Sequence, residues 1–224
     1  EQVTFRFDQV AGLSDGADVW INEFLADNQD RYDGVMVNTL GDTSLPRVIH
    51  FAQDTPLWAD AWSNGADRAW SDQPALPTGD SAFQRLAAAS TIVFSLNGIP
   101  VIQYGDEIGM PGAGDPDNQR FMQWGALSSG QTALKAHVAK LAQVRAAHPA
   151  LRSGDLAVLG SSTETLVYRR QASGDTVYVV VNREDAARDV GGLPAVSLTD
   201  VLDGGVHSGP TVTVPARSVM LLIP

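Results

Sequence analysis

Gly98-Ile99-Pro100-Val101-Ile102-Gln103-Tyr104-Gly105-Asp106-Glu107-Ile108-Gly109-Met110, followed three residues later by Gly114-Asp115-Pro116-Asp117-Asn118, decides how this chain is read. An apolar run opened by glycine and proline and closed by Tyr-Gly-Asp-Glu reads as a short, buried parallel strand. Its C-terminal end runs into a loop crowded with acids and glycines. An α/β barrel keeps its chemistry at that end of its strands.

The neighbouring segments fit the same architecture. Upstream, Asp80 is placed to cap a helix over 81–96, with Phe83, Leu86, Ser90, Val93 and Phe94 along one face and Asn97-Gly98 ending it. Downstream, 132–147 reads as a helix carrying Leu134, Val138, Leu141, Val144 and Arg145 at three- and four-residue steps, stopped by His148-Pro149. Arg47-Val48-Ile49-His50-Phe51 reads as another strand, entering the polar loop Gln53-Asp54-Thr55. Val3-Thr4-Phe5-Arg6-Phe7 alternates with period two, and 18–28 places Val19, Ile21, Phe24 and Leu25 on a helical stripe. This alternation predicts βα units up to about residue 150. Beyond Leu151 the pattern becomes β-rich, with runs at 166–170, 176–182, 211–214 and 218–222 separated by turns such as Ala172-Ser173-Gly174-Asp175. Short strands at that spacing predict an antiparallel sandwich.

Composition narrows the function. A chain of 224 residues forms one large domain or two modest ones. A net charge of −11, from 26 acidic and 15 basic residues, argues against a nucleic-acid partner, whose phosphates want a basic face. Uncharged sugars are compatible with it. No apolar run approaches the roughly 20 residues of a membrane-spanning helix, so no membrane partner is expected. The absence of cysteine excludes disulfides and thiolate metal sites. Residues 1–8 lack the pattern of a signal peptide, and a secreted protein would look the same after cleavage. Secreted, periplasmic and cytoplasmic locations all stay open.

The opening string closely resembles the last barrel strand of the alpha-amylase family of glycoside hydrolases (family 13), which typically reads PGxPxxYYGDEIGM…GDPDNR. Residues 140–154, Lys-Leu-Ala-Gln-Val-Arg-Ala-Ala-His-Pro-Ala-Leu-Arg-Ser-Gly, resemble that family's LxxLRxxHPALRxG signature. The resemblance implies that 1–150 is the C-terminal part of a (β/α)8 barrel and 151–224 an all-β antiparallel sandwich domain. It lays 3–8 on the sixth strand region, 47–54 on the seventh strand and 100–105 on the eighth. A barrel needs eight strands and about 250 residues, whereas about three strands precede the sandwich here. The family's nucleophile and acid/base lie on its fourth and fifth strands, and nothing in this chain resembles either motif. The chain alone is therefore expected to be inactive. Its open strand edges imply a partner: the missing N-terminal half of the barrel, from the same protein or a second chain, or another copy of itself.

Retaining glycosidases work with one nucleophilic and one acid/base carboxylate around an oxocarbenium-like transition state. The family adds a third carboxylate in the motif Asn-His-Asp after the seventh strand, and an arginine often stands three residues later. Laid on this chain, the motif falls on Ala52, Gln53 and Asp54, with Leu57 at the arginine position. The resemblance thus makes Asp54 the transition-state stabiliser and Gln53 a substrate-binding amide. Asp54 equally reads as a loop acid capping the next helix. In GDPxxR, the aspartate and arginine of several relatives hold sugars. Asp115 matches the first, Gln119 occupies the arginine position, and a one-residue shift would let Arg120 take over its substrate-binding role. The same residues also make an ordinary turn. Asp106 and Glu107 leave a strand pointing apart, which suits bracing of the loops. His50 reads as packed, and His137, His148 and His207 lack metal-site spacing. No metal and no cofactor are expected. Trp58, Trp62 and Trp70 read either as a platform for sugar rings or as core.

The expected function is that of the C-terminal portion of a glycoside hydrolase or transglycosylase acting on α-glucosidic bonds of an α-glucan or oligosaccharide. The alternative is an amylase-like pseudoenzyme serving carbohydrate binding or protein assembly. Ala52, Gln53, Leu57 and Gln119 all fall on sugar-holding positions and favour that alternative.

Overall fold

The computed structural model describes residues 2–4, 35–53 and 65–224. Three short strands, β1 (Gln2–Thr4), β2 (Val37–Thr39) and β3 (Ile99–Pro100), form a parallel sheet in the order β1-β2-β3. Helix α1 (Ser81–Ser95) leads into β3, and helix α2 (Ser129–Ala147) follows it after a long loop. A short helix α3 (Pro149–Ser153) connects to the β-rich region. That region comprises β4 (Asp155–Ser161), β5 (Thr165–Ala172), β6 (Asp175–Asn182), β7 (Arg188–Val190), β8 (Ser197–Asp200), β9 (Val206–Ser208), β10 (Val212–Val214) and β11 (Ser218–Ile223). The architecture is mixed α/β, with a partial parallel sheet joined to an antiparallel one. Among the described residues no closed barrel is seen.

Both main helices form where their sequence places them. In α1 the apolar and small residues leave no polar face, and Phe83, Leu86, Ser90, Val93 and Phe94 are all buried. Its Ser90 and Thr91 hydroxyls donate back to the carbonyls of Leu86 and Ala87, so they enter the interior satisfied. Asp80 precedes the helix without a side-chain capping bond. Helix α2 instead starts at a reciprocal capping box between Ser128 and Gln131, three residues earlier than its apolar periodicity predicts. Its Leu134, Val138, Leu141 and Val144 face the core. Arg145 on the same stripe donates to the carbonyls of Phe94, Leu96 and Gly98, fastening the turn from α1 into β3. Gly98 has φ +100°, and a Cβ there would collide with the carbonyl oxygen of Met36. Only glycine lets β3 approach β2 so closely.

The antiparallel sheet runs β4-β5-β6-β11-β8-β9, with β7 and β10 pairing separately. Its central strands are buried on both faces, and their period-two alternation assigns each face a different neighbour. Leu166, Tyr168, Val177, Val179, Val181, Val219 and Leu221 join the core made by α1 and α2. Val167, Val180, Met220 and Leu222 join Val190, Val212 and Val214 of the two-stranded sheet. The runs read at 166–170, 176–182, 211–214 and 218–222 are β5, β6, β10 and β11, while β4, β7, β8 and β9 escaped that reading.

The expected strand Arg47-Val48-Ile49-His50-Phe51 is not a strand. Val48–His50 is a turn of 3₁₀ helix, closed by bonds from His50 N to Arg47 O, Phe51 N to Val48 O and Ala52 N to Ile49 O. All five of those residues are buried, so the apparent alternation reflects an apolar run enclosed on every side. Period alone does not separate that from a strand. The parallel strand is β2, ten residues earlier, at the end of the apolar run Val35-Met36-Val37. The expected strand over 100–105 shortens to Ile99–Pro100, and Gly105 opens another 3₁₀ turn, Asp106–Ile108. Phe5-Arg6-Phe7 and the stripe over 18–28 lie outside the described residues.

Candidate carbohydrate site at the strand ends

Two loops leave the C-terminal ends of β2 and β3 and lock together. From β2, Thr39 Oγ1 donates to the Gly41 carbonyl (2.7 Å), and Asp42 turns the chain by accepting from Ser44 N (2.7 Å) and Ser44 Oγ (2.5 Å). Asn118, from the second loop, donates to the carbonyls of Thr43 (2.9 Å) and Leu45 (2.8 Å). Arg47 closes the first loop. Its backbone N–H donates to Gly112 O (3.0 Å), and its fully buried guanidinium donates to Tyr104 O (2.6 Å) and Asp106 Oδ1 (3.2 Å) while lying 4.6 Å from the Tyr104 ring centroid. Asp106 Oδ2 sits so near Gly41 that a Cβ there would lie 2.7 Å from it. Glu107 accepts from Gly105 N (2.7 Å). Asp106 and Glu107 therefore brace the loops, in line with the sequence reading.

Burial sets the protonation of this layer. It pushes the Asp106 carboxyl up to about 7 against the opposing pull of Arg47. It also pushes His50 down to about 3, helped by the charges of Arg120 and Arg68. His50 is thus neutral. Its Nε2 accepts from Gly112 N (3.0 Å), and its Nδ1 lies 2.8 Å from the Gln53 side-chain amide. His50 is packed, as its sequence suggests, and Gln53 is held against it.

The second loop carries the other expected residues. Asp115 is exposed and accepts from Gln119 Nε2 (2.6 Å). Arg120 does not reach Asp115. Its Nε and Nη2 grip Asp117 at 2.8 and 2.6 Å, and Nη2 also donates to Pro74 O (3.1 Å). Burial would raise Asp117, but the Arg120 bonds and the Ala113 N–H outweigh it and hold that carboxyl below its ordinary range. Trp70 is exposed. Asp54, Leu57, Trp58 and Trp62 lie outside the described residues. Among the described residues, no three histidine or acidic side chains gather as a metal set, and no helix is long and apolar enough to cross a membrane. Asp42 was passed over because the strand preceding it was placed ten residues too late, and the Arg47–Asp106 pair because its members lie 59 positions apart.

No family profile matches the chain. Individual proteins do. A cyclomaltodextrinase of Geobacillus thermopakistaniensis (strain MAS1) is 36% identical over 180 residues, covering 72% of this chain and 30% of that protein. A cyclomaltodextrin glucanotransferase of Niallia circulans is 34% identical over 135 residues, covering 58% of this chain and 18% of its own length. The chain is homologous to alpha-amylase-family enzymes. It spans less than a third of the length of these two relatives. The fold agrees: the alpha-amylase of Geobacillus thermoleovorans superposes with a TM-score of 0.70 at 21% identity, covering 90% of this chain and 42% of that one.

Proposed function

We propose that this chain is the C-terminal portion of an alpha-amylase-family glycoside hydrolase or transglycosylase acting on α-glucosidic bonds. In this reading 1–150 completes a (β/α)8 barrel, 151–224 is its β-sandwich domain, and the chain alone turns nothing over. The observation that carries it is the pair of interlocked, acid-bearing loops at the C-terminal ends of adjacent parallel strands, in a chain homologous to enzymes named for cyclomaltodextrins. Asp42 and Asp115 are the carboxylates these loops offer to sugar hydroxyls, with Arg120 positioning the second loop through Asp117. Asp54 and Gln53 remain the alternative for the first loop. The complement is the N-terminal half of the barrel, seated against the strand edge where Ile99 and Val101 are exposed.

A specific observation supports the pseudoenzyme as a second reading. With the strand at Val37–Thr39, the family's Asn-His-Asp falls on Asp42, Thr43 and Ser44, and the arginine three residues later is Arg47. A serine then stands where the third carboxylate belongs. Both readings meet one experiment on maltoheptaose and an aryl α-glucoside. The purified chain is expected to show no turnover above a heat-killed control. In the protein expressed from its full coding sequence, Ser44→Asp is expected to raise kcat while Asp54→Asn leaves it unchanged. Turnover by the chain alone refutes the reading of it as a portion. Loss of turnover in Asp54→Asn restores Asp54 as the stabiliser. An inert full-length protein that Ser44→Asp does not repair establishes the pseudoenzyme.

A further inference from the structure

Among the described residues, the large apolar side chains exposed on the barrel-like part are of two kinds. Val35, Ile99 and Val101 are aliphatic; Ile99 and Val101 lie on or beside β3, the edge strand, where a further strand would cover them. Trp70, Phe121, Trp124 and the less exposed Tyr104 are aromatic and lie on loops, the first three with relative exposures of 81%, 99% and 84%. A completed sheet explains the first kind and leaves the second unexplained.

The segment bearing Phe121 and Trp124 is fixed at both ends. Before Phe121, Arg120 is anchored to Asp117 and to the Pro74 carbonyl, and its own carbonyl accepts from Tyr104 Oη at 3.0 Å. Before Trp124, Gln123 Nε2 donates to the carbonyls of Gly125 and Ala126, each at 3.2 Å. Gln123 Oε1 accepts from Gln131, the buried capping-box residue of α2, also at 3.2 Å. Trp70 stands four residues before Pro74, the residue to which this loop is tied. Two rings are thus displayed to water on backbone that is already ordered. That arrangement lowers the entropy lost when something stacks on them.

The chemistry around the rings selects their ligand. Aromatic faces accept the apolar C–H face of a sugar or the face of a nucleobase. A nucleobase brings phosphate, but the loop's one cation, Arg120, is engaged by Asp117, and the chain carries a net charge of −11. A sugar instead brings hydroxyls, and the exposed Asp115–Gln119 pair of the same loop offers an acceptor and an amide. We propose that Phe121 and Trp124 form a stacking platform for successive glucose units of an α-linked malto-oligosaccharide. The choice of glucose and of the α-linkage rests on the function proposed above. The platform itself rests on the loop.

Calorimetric titration of the full chain with maltoheptaose tests this, using cellohexaose as the β-linked control. Phe121→Ala and Trp124→Ala remove rings that touch little protein, so circular dichroism is expected to stay unchanged. Each is expected to weaken maltoheptaose binding about three- to ten-fold, and the double variant more than either. Failure of the wild-type chain to bind maltoheptaose at millimolar concentration overturns the proposal, as do variants that bind like wild type. Equal affinity for cellohexaose overturns the α-linked assignment. Sedimentation that shows wild-type self-association abolished in the double variant makes the patch a contact between copies and overturns the sugar platform. Ring-dependent binding by a full-length protein without turnover would retain the platform and discard the hydrolase. Turnover with binding insensitive to both rings would do the reverse.

Discussion

Replacing Arg47 by methionine isolates the contact that locks the two strand-end loops. The side chain is fully buried and its partner Asp106 nearly so, with 3.2 Å between Nη1 and Oδ1. The substitution also removes the bond to Tyr104 O and the ring contact at 4.6 Å. Breaking a buried pair from one side typically costs about 3–5 kcal/mol, because a charge remains without its counter-charge. At pH 8, where Asp106 is ionised, Arg47→Met is expected to lose that much. For a chain of this size that corresponds to a fall in Tm of roughly 6–20 °C, at about 2–4 °C per kcal/mol. At pH 5.5 Asp106 is already neutral, and the loss is expected to shrink. The companion variant Arg47→Met/Asp106→Leu replaces both charges with apolar groups, an exchange that is often neutral or stabilising. It is expected to recover most of the stability. Urea unfolding followed by circular dichroism reads both variants together with Asp106→Leu alone. If the single and double substitutions add within about 0.5 kcal/mol, the two residues are not coupled and the reasoning fails.

Two further outcomes follow from the buried groups. Asp106, raised in the fold, contributes stability that is present below about pH 3.8 and lost as pH rises through about 7. His50, lowered in the fold, contributes stability that is present above about pH 6.5 and lost as pH falls through about 3. The two oppose each other across the shared window, so Asp106→Asn is expected to uncover a rise in stability from pH 4 to 6.5, of order 4 kcal/mol at most, in unfolding curves across that range. An unchanged pH profile in Asp106→Asn shows that the carboxyl titrates normally. Arg170→Met removes bonds to Ser95 O and Gly154 O, and at about 1.5–3 kcal/mol per charged hydrogen bond it is expected to cost roughly 3 kcal/mol or more in urea unfolding.

The helices and the central antiparallel strands were legible because their burial is one-sided or periodic. Leu134, Val138, Leu141 and Val144 mark a stripe, and the alternating valines of β6 mark two faces. The parallel sheet was harder. Strands of two or three residues carry too little period to register, and the enclosed turn at Val48–His50 imitates one. That single displacement moved the expected strand end from Thr39 to Phe51. The bracing roles of Asp106 and Glu107 could be read locally, since adjacent residues leaving a strand diverge. The partner of Asp106 could not, because Arg47 lies 59 positions away and only the fold brings them together.

Tyr168 and Arg170 reach out of the antiparallel sheet to Ser95 at the end of α1, one through the hydroxyl at 2.5 Å and the other through the carbonyl. Asp175 meanwhile holds His148 and the Ala150 N–H at 2.9 and 2.8 Å. The chain's last third is therefore a poor cassette. Transplanted onto a foreign barrel, it would present a buried guanidinium and a buried phenol to a surface that lacks their acceptors. Recombination between relatives would be expected to succeed where the crossover lies upstream of α1, so that Ser95 travels with the sheet that needs it. A junction drawn at the visible change from helices to strands would divide the two.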